Sequence, residues 1–227
     1  MTPEDFAARL LRSEPTAEQL QHAVLETKRA LNDSRATTWL RTYYSEAGNY
    51  AGSTFSALEP NDPWDVTAAD LFATTLLNVK IGPRATRTIL SDAVRNRLTE
   101  LLRSIPLEAK LQTANANVWL AADELYQSVK SALGRNPWVT ASKLCARKRP
   151  EFFPVRDNVV TMSRLGIGHD WLTDWLVYKH LMRMDAIVDG LRRLEGQART
   201  ASAAPSLDPP LRILDVLLWM STPEKRR

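Results

Sequence analysis

An all-α fold is the first prediction from this sequence, and three observations support it. Glycine occurs only eight times in 227 residues, whereas alanine, leucine and arginine, which favour helices, are abundant. Apolar residues recur at the three- and four-residue spacing of a helix face, as at Leu20, Val24 and Leu31. No Asn-Gly or Asp-Gly turn joins two runs of alternating hydrophobicity. We therefore expect eight to ten helices.

Length and composition favour a single globular domain. The chain is long enough for one substantial core and short for two. Hydrophobic residues make up 44% and charged residues 25%, which is an ordinary globular composition and argues against disorder over most of the chain. Residues 195–210 are rich in Ala, Ser and Pro, and we expect them to form a loose linker before a C-terminal helix.

The expected location is the cytoplasm. Cys145 is the only cysteine, so no disulfide can form within the chain. Residues 1–15 carry acids and no long apolar run, unlike a signal peptide. No stretch approaches the roughly 18 apolar residues of a membrane span. We expect no membrane partner, and the oligomeric state stays open.

Helix boundaries follow from capping residues and from Gly and Pro. Thr16 and Gln19 form a capping box, and Thr67 with Asp70 forms another before an apolar helix at 68–79, which we expect to be buried on nearly all sides. Residues 47–66 are predicted to be a loop with a short extended piece at 50–58. Further helices are expected at 36–46, 85–90, 92–104, 117–133, 139–147, 157–165, 169–193 and 211–220.

Residues 134–168 hold the densest group of cations. Two acids, Glu151 and Asp157, oppose five basic residues, which are Lys143, Arg147, Lys148, Arg149 and Arg156. Two interpretations remain open. The cations project from the end of the 139–147 helix and bind phosphates of a nucleic acid, or they stabilise that helix end through its dipole.

The same stretch resembles a known superfamily. Residues 138–144 (WVTASKL), 154–160 (PVRDNVV) and 164–166 (RLG) resemble, in this order, the helix-hairpin-helix DNA glycosylases. Residues 143–150 (KLCARKRP), together with 67–71 and 76–77 further upstream, also resemble an uncharacterised family of mainly actinobacterial proteins.

The glycosylase resemblance implies an all-helical core, duplex DNA as the partner and Asp157 as the catalytic carboxylate. Cleavage of an N-glycosidic bond builds positive charge on the sugar, which a carboxylate stabilises while it orients a water. The base must leave the stack, which requires phosphate anchors and a stacking surface. The residues expected to contact nucleic acid are Lys143, Arg147, Lys148, Arg149, Arg156, Trp138 and Thr140.

The sequence also departs from the superfamily pattern. Val139 stands where bifunctional members have a lysine, so the resemblance implies a monofunctional enzyme without a Schiff-base step. Pro137 lacks the backbone N–H that a phosphate-binding hairpin offers. With one cysteine and no metal-ligand spacing such as HExxH, we expect neither a metal nor another cofactor.

Two alternatives to the enzyme remain. Asp157 follows a Pro-containing loop and precedes an apolar helix, which is an ordinary N-cap position. The protein would then be a non-enzymatic helical module that contacts DNA or a protein. An unrelated helical interaction or regulatory protein is the other alternative.

Overall fold

The computed structural model describes residues 2–135, 137–199 and 208–222. Every regular element in these ranges is a helix, which confirms the all-α prediction. In chain order they are α1 (Pro3–Arg12), α2 (Ala17–Asn32), α3 (Ala36–Tyr43), α4 (Thr54–Ala57), α5 (Ala68–Thr75), α6 (Pro83–Ile89), α7 (Asp92–Arg103), α8 (Ala116–Leu133), α9 (Trp138–Lys148), a π-helix π1 (Asn158–Arg164), α10 (Trp171–Met182), α11 (Asp185–Arg199) and α12 (Pro210–Met220).

The described residues group into two compact units. The first unit comprises residues 2–7 and 54–155, and the second comprises 8–53 and 156–222. The expectation of a single domain stays a prediction.

The core of the first unit is built around α8, which packs against α6, α7 and α9. Asn115 caps α8, because its side chain accepts a hydrogen bond from the Val118 N–H at 3.1 Å. Trp119 is buried and meets the ring of Phe152 edge to face, with centroids 5.7 Å apart. The helix ends at Gly134, whose φ of 103° is readily adopted only by glycine.

The second unit packs α2 and α3 against α11 and α12, with α10 alongside α2. The capping box predicted at the start of α2 is confirmed, since Thr16 and Gln19 each accept the other's backbone N–H. Gly190 lets α11 approach α2 closely, because a Cβ there would lie 3.3 Å from a methyl group of Leu31.

The helix predicted at 68–79 ends earlier, at Thr75. The Thr75 hydroxyl donates to the Phe72 carbonyl at 2.6 Å, and Asn78 adopts the left-handed conformation with a φ of 58°. Both features stop the α-helical hydrogen-bond ladder. The expectation of burial on nearly all sides is also wrong, because Phe72 is 60% exposed.

Other boundaries also differ from the predictions. Residues 54–57 form the single turn α4 where an extended piece was expected. The long helix expected at 169–193 is two helices, because after Met182 the buried stripe moves to a different face and the chain turns at 183–184. These short and divided elements raise the number of helices within the described ranges above the expected eight to ten.

The predicted linker at 195–210 is wrong at its start, since α11 continues to Arg199. Residues 200–207 of that linker lie outside the described residues. Across the described part of the chain, no helix combines the length and the apolar character that crossing a membrane requires.

Candidate functional site

Four cations lie in α9 or directly after it, and their side chains are buried inside the first unit. Lys143, Arg147, Lys148 and Arg149 are only 6%, 3%, 5% and 1% exposed. The prediction that they project from the helix end is therefore wrong. Binding of a phosphate through them stays a prediction, and it would require the first unit to open.

Asp70 is the counter-ion of two of these cations. Its Oδ1 accepts a hydrogen bond from Nε of Arg147 at 2.8 Å and lies 2.7 Å from Nζ of Lys148. Its Oδ2 accepts the backbone N–H of Thr67 at 2.8 Å, which completes the predicted capping box of α5. One buried carboxylate thus caps a helix and neutralises charge on another.

Main-chain carbonyl groups satisfy the rest of Arg147 and Lys148. The guanidinium of Arg147 also donates to the carbonyls of Phe55 and Leu58. Nζ of Lys148 donates to the Asp62 carbonyl at 2.9 Å, yet burial lowers the pKa of this lysine. The two cations therefore fasten residues 55–62 to α9.

The guanidinium of Arg149 donates hydrogen bonds to four main-chain carbonyl groups. Its acceptors are the carbonyls of Leu102, Ile105, Pro63 and Lys148, at distances of 2.6 to 2.9 Å. Burial lowers its pKa to about 10. This side chain links α9 to the end of α7 and to the loop before α5.

Lys143 and two further residues that we predicted to contact nucleic acid also lie at least partly inside the first unit. Nζ of Lys143 donates to the Leu77 carbonyl at 2.7 Å, in the connector between α5 and α6. Trp138 is half-buried, and its carbonyl accepts the Tyr126 hydroxyl at 3.4 Å. Thr140 is buried.

Arg156 belongs to the second unit and forms a buried ion pair. Its Nε donates to Oδ2 of Asp174 at 2.7 Å, and a second guanidinium nitrogen contacts the same oxygen. Oδ1 of Asp174 accepts the Gly168 N–H at 2.7 Å. Burial raises the pKa of Asp174, although Arg156 acts in the opposite direction.

Asp157 is the N-cap of π1, as the capping interpretation predicted. Its Oδ1 accepts the backbone N–H groups of Val159 at 2.9 Å and Val160 at 2.7 Å. Its own N–H donates to the Thr161 hydroxyl at 3.1 Å. The residue is half-buried, and within the described residues Oδ2 has no hydrogen-bond partner. The helix is of the rare π type, which is often found at functional sites.

The predicted site residues are therefore divided between the two units. Residues 138–149 belong to the first unit, whereas Arg156 and Asp157 belong to the second. Within the first unit, Arg147 and Lys148 meet at Asp70. Within the second, Arg156 meets Asp174, which is separate in sequence from the cation-rich stretch.

A second buried polar cluster in the second unit was not predicted. Arg212 donates to the Tyr43 hydroxyl at 2.7 Å and contacts Asp215, while the Tyr44 hydroxyl donates to Asp208 at 2.9 Å. Burial raises the pKa of Tyr43 to about 12. The sequence offered the Tyr-Tyr pair as a signal but gave no indication of its distant partners.

The described residues include no set of three His, Cys, Asp or Glu side chains placed to hold a metal ion. Cys145 is buried, and burial raises the pKa of its thiol, which disfavours the nucleophilic thiolate form. The second unit carries an open groove of about 440 Å³, lined by Ala17, Leu20, Gln21, Val24, Leu25, Lys28 and His180.

Comparison with known proteins identifies a family but no activity. No curated protein and no solved structure matches the chain. The resemblance to the helix-hairpin-helix DNA glycosylases stays a prediction. The model of a family of unknown function, DUF6308, matches residues 36–222, which is most of the chain. The chain therefore belongs to the DUF6308 family.

Proposed function

We propose that this protein is a helical DNA-binding module without catalytic activity, in which Asp157 serves only as a helix cap. The observation that carries the proposal is the environment of Asp157. Its Oδ1 is held by two backbone N–H groups, and the neighbouring Arg156 is committed to Asp174. Oδ1 of Asp157 therefore has a structural role that requires no substrate.

Duplex DNA is the proposed partner because the chain is basic overall. Its net charge is +4 and its isoelectric point is about 9.3. A polyanion is attracted to a protein of net positive charge. Contacts to its phosphates release counterions, so the affinity falls as the salt concentration rises.

Substitution at Asp157 tests the capping role. Asp157→Ser keeps a capping oxygen and removes the charge, so we expect an unchanged affinity for duplex DNA and a change in unfolding free energy below about 0.5 kcal/mol. Asp157→Ala removes the cap and should cost about 1 kcal/mol with the same DNA affinity. Urea unfolding and a fluorescence-anisotropy titration measure the two quantities. Equal stability of the Ser and Ala variants would contradict the capping role.

Monofunctional hydrolysis of an N-glycosidic bond is the second candidate. It is favoured by the half-buried position of Asp157 and by its Oδ2, which has no hydrogen-bond partner among the described residues. A panel of duplexes with damaged bases distinguishes the two functions. Base release by the wild type that is abolished in both Asp157→Ser and Asp157→Asn would establish the enzyme. No release from any duplex, with salt-dependent binding retained, supports the binding module.

A further inference from the structure

The first unit carries exposed cations that sequence analysis did not single out. Residues 71–91 contain Lys80, Arg84 and Arg87 and no acidic residue. All three side chains are exposed, and none of them takes part in an ion pair or hydrogen bond with another described residue. We call residues 80–87 the 80–87 surface.

Two other arginines of the same unit have acidic partners. The half-buried Arg95 forms an ion pair with Asp65, and a guanidinium nitrogen of the exposed Arg97 lies 3.3 Å from a carboxylate oxygen of Glu124. The 80–87 surface differs because its positive charge is left uncompensated by its own segment. An incoming anion would therefore not have to displace a carboxylate already paired with these cations.

The spacing of the three cations suits a row of phosphates. Arg84 and Arg87 are three residues apart on α6, so they share a face and are separated by about 4.5 Å along the helix axis. Lys80 lies just before this helix, in the connector 76–82. The reach of long side chains lets such a group span neighbouring phosphates along a strand.

The backbone that carries these cations is fixed from inside the unit. The buried Lys143 donates to the Leu77 carbonyl, three residues before Lys80. Asn78 forms a left-handed turn, and α6 packs against α8. Because the segment is already held in place, little backbone entropy would be lost when a ligand binds.

We infer that the 80–87 surface binds the phosphate backbone of duplex DNA. This inference rests on the proposed function and names the surface that performs it. Binding is expected to be independent of base sequence, because lysine and arginine contacts to phosphates position a duplex but do not read its bases. We assign no phosphate contact to the nearby Thr86, because its hydroxyl donates to the Gly82 carbonyl at 3.2 Å.

A matched pair of triple variants tests the inference. Lys80→Gln with Arg84→Gln and Arg87→Gln removes the surface. The control combines Arg12→Gln, Lys28→Gln and Arg193→Gln, which replaces one lysine and two arginines that are also exposed and, within the described residues, unpaired. Both variants lose three positive charges, so net charge is matched.

Affinity for a fluorescent 20-base-pair duplex is measured from about 0.05 to 0.3 M salt. For the 80–87 variant we expect a roughly 100-fold loss of affinity at about 0.1 M salt. The slope of log affinity against log salt concentration should be smaller in magnitude by about 2.7, which corresponds to three lost phosphate contacts. The control should stay within about threefold of the wild type. Equal losses in the two variants would overturn the inference and leave general attraction to net charge.

Two further outcomes separate this inference from the proposed function. Wild-type protein that does not bind DNA at any salt concentration overturns both. Wild-type binding that the 80–87 variant retains in full overturns only the surface assignment. Polyglutamate of matched charge serves as a competitor, and displacement of the duplex at equal charge concentration would overturn the preference for nucleic acid over an acidic protein.

Discussion

Two basic regions of the first unit differ in almost every physical respect. The cations at 143–149 are the densest in sequence, yet they are buried and bound to Asp70 and to main-chain carbonyls. The cations of the 80–87 surface are sparser, yet they are exposed and lack an acid within their segment. The density of cations along a sequence therefore did not predict which ones face solvent. Their distant partners decide it.

Among the tests that compare the two basic regions, removal of the Asp70 charge should change the free energy of unfolding the most. Asp70→Asn keeps the shape of the side chain but leaves Arg147 and Lys148 buried beside a neutral group, and breaking a buried ion pair costs about 3–5 kcal/mol. We expect a loss of this size in the unfolding free energy from urea denaturation. Glu46→Gln, at an exposed acid of the second unit, is the control and should stay within about 0.5 kcal/mol. A loss below 1 kcal/mol for Asp70→Asn would mean that the cations are not held as described.

A smaller effect should appear in the pH dependence of stability. Burial lowers the pKa of Lys148 below its ordinary value of 10.5. Between the lowered pKa and 10.5 the unfolded chain binds more protons at this lysine than the folded protein, so its contribution to the unfolding free energy rises with pH.

The measurement compares wild-type protein with Lys148→Met across that pH window. The free energy of unfolding of the wild type should increase relative to that of Lys148→Met as the pH approaches 10.5. Because buried tyrosines titrate equally in both proteins, their effect cancels in this difference. A constant difference for Lys148→Met would contradict its burial beside Asp70.

Local sequence signals predicted much of the fold. The capping boxes at Thr16 and Thr67, and the cap at Asp157, depend on residues within four positions of each other, and all three are present. The C-terminal end of α8 at Gly134 was likewise predicted by a residue with special backbone freedom. Features of this kind are fixed by short-range chemistry.

Long-range partners could not be predicted in the same way. Asp70 and Arg147 are 77 positions apart. The spacing of basic residues on α9 therefore could not show that a carboxylate lies beside them inside the unit. The sequence did contain a signal for the 80–87 surface, namely a long segment without acids. This signal is weaker than the one at 143–149, because fewer cations lie there.

Chemical labelling of lysines distinguishes the buried cations at 143–149 from the exposed cations of the 80–87 surface. Native protein is treated briefly with an amine-reactive acetylating reagent and digested, and the modified fraction of each lysine is read by mass spectrometry. We expect rapid modification of Lys80 and protection of Lys143 and Lys148 until the protein is unfolded in urea. Equal modification of the three lysines in the native protein would contradict this expectation.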